Sequence, residues 1–291
     1  RLCHSTKKRK IIMFEDISQK ARALSLIAIY NAESGHPGGV LSCIDLLVYL
    51  YNKEMEYNPK DFSILNRDRF ILSKGHCAPA LYAVASLKGI LDKSRLNGLR
   101  KLDHELQGHT CRTTTPWVEA STGSLSQGFS FAIGEAIGLK MQNLSNRVYV
   151  MVGDGEIQEG QIWEGAMFSA HHNLNNLCTI VDYNKMQSDD LNENIMGLEP
   201  LCDKWEAFGW NVVEIDGHNF SEIENGFDLA NKCTDKPTVI IAHTIKGNGV
   251  SYMSGVPTWH GSVKLTDKDI SEELTELSYT DEEIKGVINN V

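Results

Sequence analysis

The sequence predicts an α/β fold, a parallel β-sheet covered by helices on both faces. Two patterns carry this. Five apolar, β-rich runs recur along the chain, and stretches with helical spacing separate them. Near-continuous apolar runs have no solvent side, so the strands must be covered above and below. The 291 residues are 42% hydrophobic and 23% charged, and no Pro/Ser-rich linker divides them. One large domain with a sizeable core follows.

Arg1 to Lys10 is polar and ragged, with the basic run Lys7-Lys8-Arg9-Lys10, and is expected to be a solvated tail over residues 1–12. Phe14 to Ser34 carries Ile17, Ala21, Leu24, Ile27 and Ala28 at helical spacing and stops at Gly35, a good residue for ending a helix. Gly35-His36-Pro37-Gly38-Gly39 reads as a tight loop, followed by a second helix over Leu41 to Tyr51. The predicted strands are Arg69–Leu72, Val148–Val152, Leu177–Asp182, Trp210–Glu214 and Thr238–Ala242. Helical patterns fall at Pro79–Leu87, Gly128–Met141, Gln161–His172 and Ser221–Asn231. Thr266 to Val291 reads as two polar helices, so the main domain is expected over 13–262 and a helical extension over 263–291.

The net charge of −10 supplies no long-range field toward nucleic acid or an anionic membrane, so any phosphate site must be local. The longest apolar stretches fall far short of a membrane span, and no signal-peptide core is present. Seven scattered cysteines without a CxxC pair argue against a disulfide framework or a zinc site and point to a reducing cytoplasm.

Ligands of parallel α/β sheets bind at the carboxyl ends of the strands. There, Gly153-Asp154-Gly155-Glu156 follows the second strand and Asp182-Tyr183-Asn184-Lys185-Met186 the third. Glycines let backbone approach a ligand closely, and Asp154 and Asn184 offer hard oxygens from adjacent loops, as a magnesium diphosphate requires. Gly153-Asp154-Gly155 alone reads equally well as a simple turn. Neither GxGxxG nor GxxxxGK[ST] follows a strand, which disfavours a classical nucleotide fold. His36, His76, His109 and His260 all lie in glycine-bearing loops. Together they suggest a cleft whose imidazoles donate to phosphate or hydroxyl oxygens and move protons near neutral pH. His4, His104, His171, His172, His218 and His243 read as structural or solvated.

Taken in order, several short blocks resemble the amino-terminal half of a transketolase. They are Ser34-Gly-His-Pro-Gly-Gly39, Ser73-Lys-Gly-His76, Gly108-His109, Ser121-Thr-Gly-Ser-Leu-Ser-Gln-Gly128, Gly153-Asp-Gly155 with Glu159-Gly160, Asp182-Tyr-Asn184, Lys246-Gly247 and Trp259-His-Gly261. The resemblance runs over roughly residues 16 to 262, and the Asp154 to Asn184 interval fits a thiamin diphosphate signature. It implies the thiamin diphosphate-binding fold, with Mg2+ held by Asp154, Asn184 and the carbonyl of Met186. Gly153, Gly155, Glu156, Asn184, His76 and His260 would surround the diphosphate, with Lys246 close by. Gly123, Ser124 and Leu125 would line the cofactor's path. His36, His76, His109 and His260 would face the sugar phosphate, and Glu159 resembles a carboxylate that joins the two active sites of a dimer. Three positions depart from the family pattern: Lys185 replaces an asparagine, Ser126 a glycine and Thr110 a proline.

Full transketolases are more than twice as long, and the pyrimidine-binding domain with its activating glutamate has no counterpart in these residues. The resemblance therefore implies one subunit of a split enzyme. Its partner would be a C-terminal transketolase subunit, most simply in an α2β2 heterotetramer. The expected activity is transfer of a two-carbon ketol unit from a ketose phosphate to an aldose phosphate. The alternatives are the corresponding component of another thiamin enzyme, such as a deoxyxylulose-phosphate synthase, and a non-catalytic cofactor-binding subunit. Retention of the four loop histidines weighs against the last.

Overall fold

The computed structural model describes residues 2–188, 190–261 and 263–289. In chain order its strands are β1 (Arg69–Leu72), β2 (Val148–Gly153), β3 (Leu177–Tyr183), the short β4 (Met186–Gln187) and β5 (Asp190–Leu191), β6 (Asn211–Asp216) and β7 (Thr238–His243). The five long strands make one sheet in the order β1-β2-β3-β7-β6, while β4 and β5 form a separate two-stranded ribbon. Every pairing in the large sheet is parallel, so all its carboxyl ends lie along one edge.

Alternating side chains explain the continuous apolar runs. Val148, Val150 and Val152 of β2 enter a core with Phe129, Ala132, Ile162 and Trp205. Tyr149 and Met151, pointing the opposite way, enter a second core with Leu47, Tyr82 and Phe227. The first core is covered by α5 (Gln127–Met141), α6 (Gly160–His171) and α8 (Leu201–Ala207). The second is covered chiefly by α1 (Leu2–Asn31), α3 (Ile44–Tyr49), α4 (Ala78–Leu87) and α9 (Phe220–Lys232). The expected parallel sheet with helices on both faces is therefore present.

Several boundaries differ from expectation. The polar start, read as a tail, is helical backbone from Leu2 onward, since lysine and arginine extend a helix that packing has already nucleated. That helix ends at Asn31, and Glu33 rather than Gly35 takes the left-handed conformation, at φ 52. The expected loop through Gly39 is shorter, because Pro37 opens α2 (Pro37–Ser42) at the first helical position, where its fixed φ and missing N–H are harmless. A single helix over Leu41 to Tyr51 is replaced by α2, α3 and a π-helical turn at Leu50–Glu54. Past β3, α7 (Asn192–Ile195) and α8 follow the ribbon, none of which the pattern indicated.

At the end, α10 (Asp267–Glu276) and α11 (Asp281–Asn289) appear as the two expected helices. Ile270 and Leu274 of α10 join the core beneath α1, and the Tyr30 hydroxyl donates to Asp267 at 2.7 Å. Among the described residues no helix is long and apolar enough to cross a membrane.

Candidate active site

The loops after β1, β2, β3 and β7 meet the start of α2 and the turn before α5 around a cavity of about 240 Å³. All four singled-out histidines line it. The His36 ring centre lies 5.2 Å from that of His76, 6.3 Å from His109 and 5.9 Å from His260. His76 and His260 are 5.4 Å apart. Imidazoles from four distant sequence positions thus share one wall.

Opposite them stands the acidic loop after β2. Asp154 is 2% exposed and its carboxylate accepts the Gly155 N–H at 2.8 Å and the Lys185 N–H at 2.5 Å. Burial, with Asp182 nearby, pushes its pKa up to about 7, as burial does to a carboxylate outside any ion pair. Asn184 Oδ1 accepts the Met186 N–H at 3.1 Å. Lys185 is held at φ 66, a conformation asparagine tolerates better than lysine, which gives a physical reason for the family residue it replaces. Ser126, in place of the family glycine, sits likewise at φ 73.

Two glycines have tight steric reasons. A Cβ on Gly155 would lie 2.7 Å from the Gln187 Cβ. Gly123 adopts φ 150 with the His109 ring 3.2 Å from its missing Cβ. A side chain at either point would push Gln187 or His109, both of which line the cavity, out of place.

Beneath the cavity the polar groups are tied to one another. Lys74 is paired with Asp182, which also accepts from the Ser42 hydroxyl at 2.5 Å and from Thr244. Burial opposes the Lys74 ammonium, but the Asp182 carboxylate outweighs it and holds the pKa well above its usual value. Glu156 accepts from the Ser126 N–H at 2.7 Å, the Gly153 N–H at 3.0 Å and the Ser73 hydroxyl. It lines the cavity with both oxygens already engaged, so it braces three loops.

Burial lowers the basicity of the histidine wall. His36 is pushed down to about 4 by burial and by His76, and His260 to about 3 by burial, Lys246 and His76. His109 is lowered by burial, His76 and Arg100. These three imidazoles are neutral at pH 7, each offering one donor and one acceptor nitrogen. His36 Nδ1 is buried with no hydrogen-bond partner among the described residues. Lys246, 1% exposed, is lowered to about 8, chiefly by burial, and remains mostly charged.

Besides the histidines, the cavity gathers Gly123, Leu125, Gly153, Gly155, Met186 and Lys246, with Asp154, Glu156 and Asn184. Two expected residues lie elsewhere. Ser124 does not line it. Glu159, just before α6, is exposed on a neighbouring groove with Leu125, Trp163 and Met196. Both side chains are exposed. Conversely, the cavity includes Lys74, Gln187 and Ser188, which were not singled out. Lys74 sat inside the Ser73–His76 block, but its buried partner is distant in sequence. A wider hollow of about 840 Å³ lies apart from the histidines, beside Phe62 and Phe131. Of its arginines, Arg67 pairs with Glu119 at 2.5 Å.

A parallel sheet whose carboxyl edge carries an acidic glycine loop facing a basic wall defines an α/β protein built to receive a compact anionic group. The chain belongs to the transketolase family: residues 14–290 match "Transketolase, thiamine diphosphate binding domain". It is 43% identical over 256 residues to a 6-deoxy-6-sulfo-D-fructose transketolase subunit of Clostridium sp. (strain MSTE9), covering 88% of this chain and 93% of that one. It is 38% identical over 266 residues to an apulose-4-phosphate transketolase subunit of Phocaeicola vulgatus, covering 89% and 94%. Human transketolase is 34% identical over 278 residues, but that match covers 95% of this chain and only 44% of the human protein. The transketolase of Leishmania mexicana superposes with a TM-score of 0.86 at 27% identity, over 95% of this chain and 44% of that one.

Proposed function

We propose that this chain is the diphosphate-binding subunit of a split transketolase. With thiamin diphosphate and Mg2+ it transfers a two-carbon ketol (glycolaldehyde) unit from a ketose phosphate to an aldose phosphate. The observation that carries the reading is the convergence of four histidines over the acidic loop, in a chain that matches two relatives named as transketolase subunits over 93% and 94% of their length.

The residues fit the cofactor. A side chain at Gly155 would displace Gln187 from the cavity lining, and among the described residues His36 Nδ1 is a buried nitrogen without a hydrogen-bond partner and Asp154 a buried carboxylate without an ion-pair partner. Asp154, Asn184 and the Met186 carbonyl would hold Mg2+, whose remaining ligands come from phosphate and water. His76, His260, Lys246 and the Gly155 backbone would bind the diphosphate, while Gly123 and Leu125 line the ring's path. When bound, thiamin diphosphate supplies the carbanion chemistry that ketol transfer needs. The neutral imidazoles of His36, His109 and His260 orient sugar hydroxyls and take or return their protons.

The second subunit, carrying the pyrimidine-binding domain, completes the site, most simply in an α2β2 complex. Glu159, exposed beside α6, stands where a neighbouring chain can reach it. The six cysteines with described thiols are all free, which suits a reducing cytoplasm.

A coupled ketol-transfer assay on the purified chain tests the reading. No turnover is expected from the lone chain, and cofactor-dependent turnover on adding a subunit with the pyrimidine domain. Turnover by the lone chain refutes the split-enzyme assignment.

A further inference from the structure

His218 stands outside the cavity, in the Asp216-Gly217-His218-Asn219 turn between β6 and α9, and reads from sequence as structural or solvated. The turn is itself well fixed. Asp216 accepts the His218 N–H at 2.8 Å, the Gly217 N–H donates to the His243 carbonyl at 2.8 Å, and Asn219 caps α9 by accepting the Ser221 N–H at 3.0 Å.

From this base the imidazole reaches two elements. Its Nδ1 lies 2.8 Å from Asp45 Oδ2, and its Nε2 accepts the backbone N–H of Ile245 at 2.9 Å. Accepting at Nε2 leaves the proton on Nδ1, where it is donated to Asp45. Asp45, buried on α3, also receives the Arg22 guanidinium at 2.6 Å. The Arg22 Nε in turn donates to the Asn248 carbonyl at 3.1 Å. The loop after β7 is thus gripped at Ile245 and at Asn248, and Lys246 lies between the two grips. The Gly247 N–H adds a third hold, donating to the Gly38 carbonyl at 2.9 Å.

We infer that Asp45 and His218 are positioning residues for Lys246, acting through the Ile245 backbone to hold its ammonium at the cavity wall. The inference rests on the reading that Lys246 meets the cofactor's diphosphate. Lys246 is nearly fully buried, and among the described residues its Nζ makes one long hydrogen bond, to the Ser188 carbonyl at 3.5 Å, so no short bond fixes the ammonium. Its aim is therefore set by its backbone, much as partners behind a ligating group orient that group.

The test uses the full chain and three substitutions. His218→Phe removes the acceptor, His218→Gln returns a carbonyl near the Nε2 position, and His218→Asn keeps a polar group toward Asp45 without the reach to Ile245. Amide hydrogen exchange at Ile245–Asn248 should rise about 10-fold in the Phe and Asn variants and return in the Gln variant, with little change elsewhere. Calorimetric affinity for inorganic pyrophosphate with Mg2+ should fall about 10-fold in His218→Phe, with no further fall when Lys246→Ala is already present. Equal losses in both backgrounds, or unchanged exchange at Ile245–Asn248, overturn the inference. If His218→Phe does not fold, the Asn and Gln pair decides by the same readouts. Failure of the unmodified chain to bind pyrophosphate counts against the diphosphate site, and the exchange comparison still decides the positioning.

Discussion

Beneath the cavity, Lys74, Asp154, Glu156 and Asp182 are each at most 2% exposed, and each is tied to at least two neighbours. At the rim, by contrast, Leu125 is 37% exposed, Met196 59% exposed, and Glu159 stands in solvent. The difference follows from what folding of this chain alone can stabilise. A polar group buried by the chain's own core must find its partners within the chain, because an unpaired buried charge costs several kcal/mol. A group at the rim carries no such penalty and remains available to whatever covers it. In the proposed enzyme that cover is the second subunit.

The largest test strikes the floor. Lys74→Met leaves Asp182 buried beside only neutral donors and should destabilise the chain by about 3–5 kcal/mol in denaturant titration. Adding Asp182→Asn should recover part of that loss. A wild-type midpoint for the single variant would show that the floor does not depend on the pair.

Asp154→Ala separates binding from folding. It removes the proposed metal ligand, so affinity for thiamin diphosphate with Mg2+ should drop about 10-fold or more, roughly 1.4 kcal/mol. Thermal stability without ligand should change little, since relief of the buried carboxylate offsets loss of its bonds from the Gly155 and Lys185 N–H groups. Unchanged affinity by calorimetry sinks the metal assignment.

Acid tests the basic wall. His36 is depressed from 6.5 to about 4, so the unfolded chain binds the proton first as pH falls. The stabilisation is complete above about pH 6.5 and is lost between there and about pH 4. Melting temperature should decline across that window, and His36→Asn should flatten the decline. An identical pH profile in the variant would place the acid sensitivity elsewhere.

Glu159→Gln probes the rim and has the smallest expected effect. The lone chain should keep its melting temperature and its pyrophosphate affinity, as exposed substitutions usually do. A shift in either would mean that Glu159 belongs to the floor's network. If the rim is an interface, the change appears only in the stability of the complex.

Much of the site was legible because its signals are local. Glycine next to histidine, or flanking an aspartate after an apolar run, marks a strand end that must stay open to a ligand. The four histidines and the pair Asp154 and Asn184 were found that way, and the structure gathers them around one cavity. Partnerships across long separations left no such trace. Lys74 and Asp182 lie on different strand ends, Glu156 binds groups from three loops, and His218 grips the backbone after another strand. Ser124 is the converse, a residue inside a telling block that is exposed and does not line the cavity.

Composition and pattern alone specified a doubly covered parallel sheet and the loops that carry its chemistry, because periodicity and punctuation act within a few residues. Which atoms face the ligand was settled by the register of the parallel strands, which pairs Gly153 with Asp182 and Tyr183 with His243 and so brings the following loops together. Burial then sorted the gathered groups. Burial itself lowers the basicity of His36 and His260 and raises the Asp154 pKa, while Lys74, Glu156 and Asp182 beneath the cavity satisfy their charges with partners inside the chain. Those at the rim kept water as their partner, since the chain's own core does not extend over them.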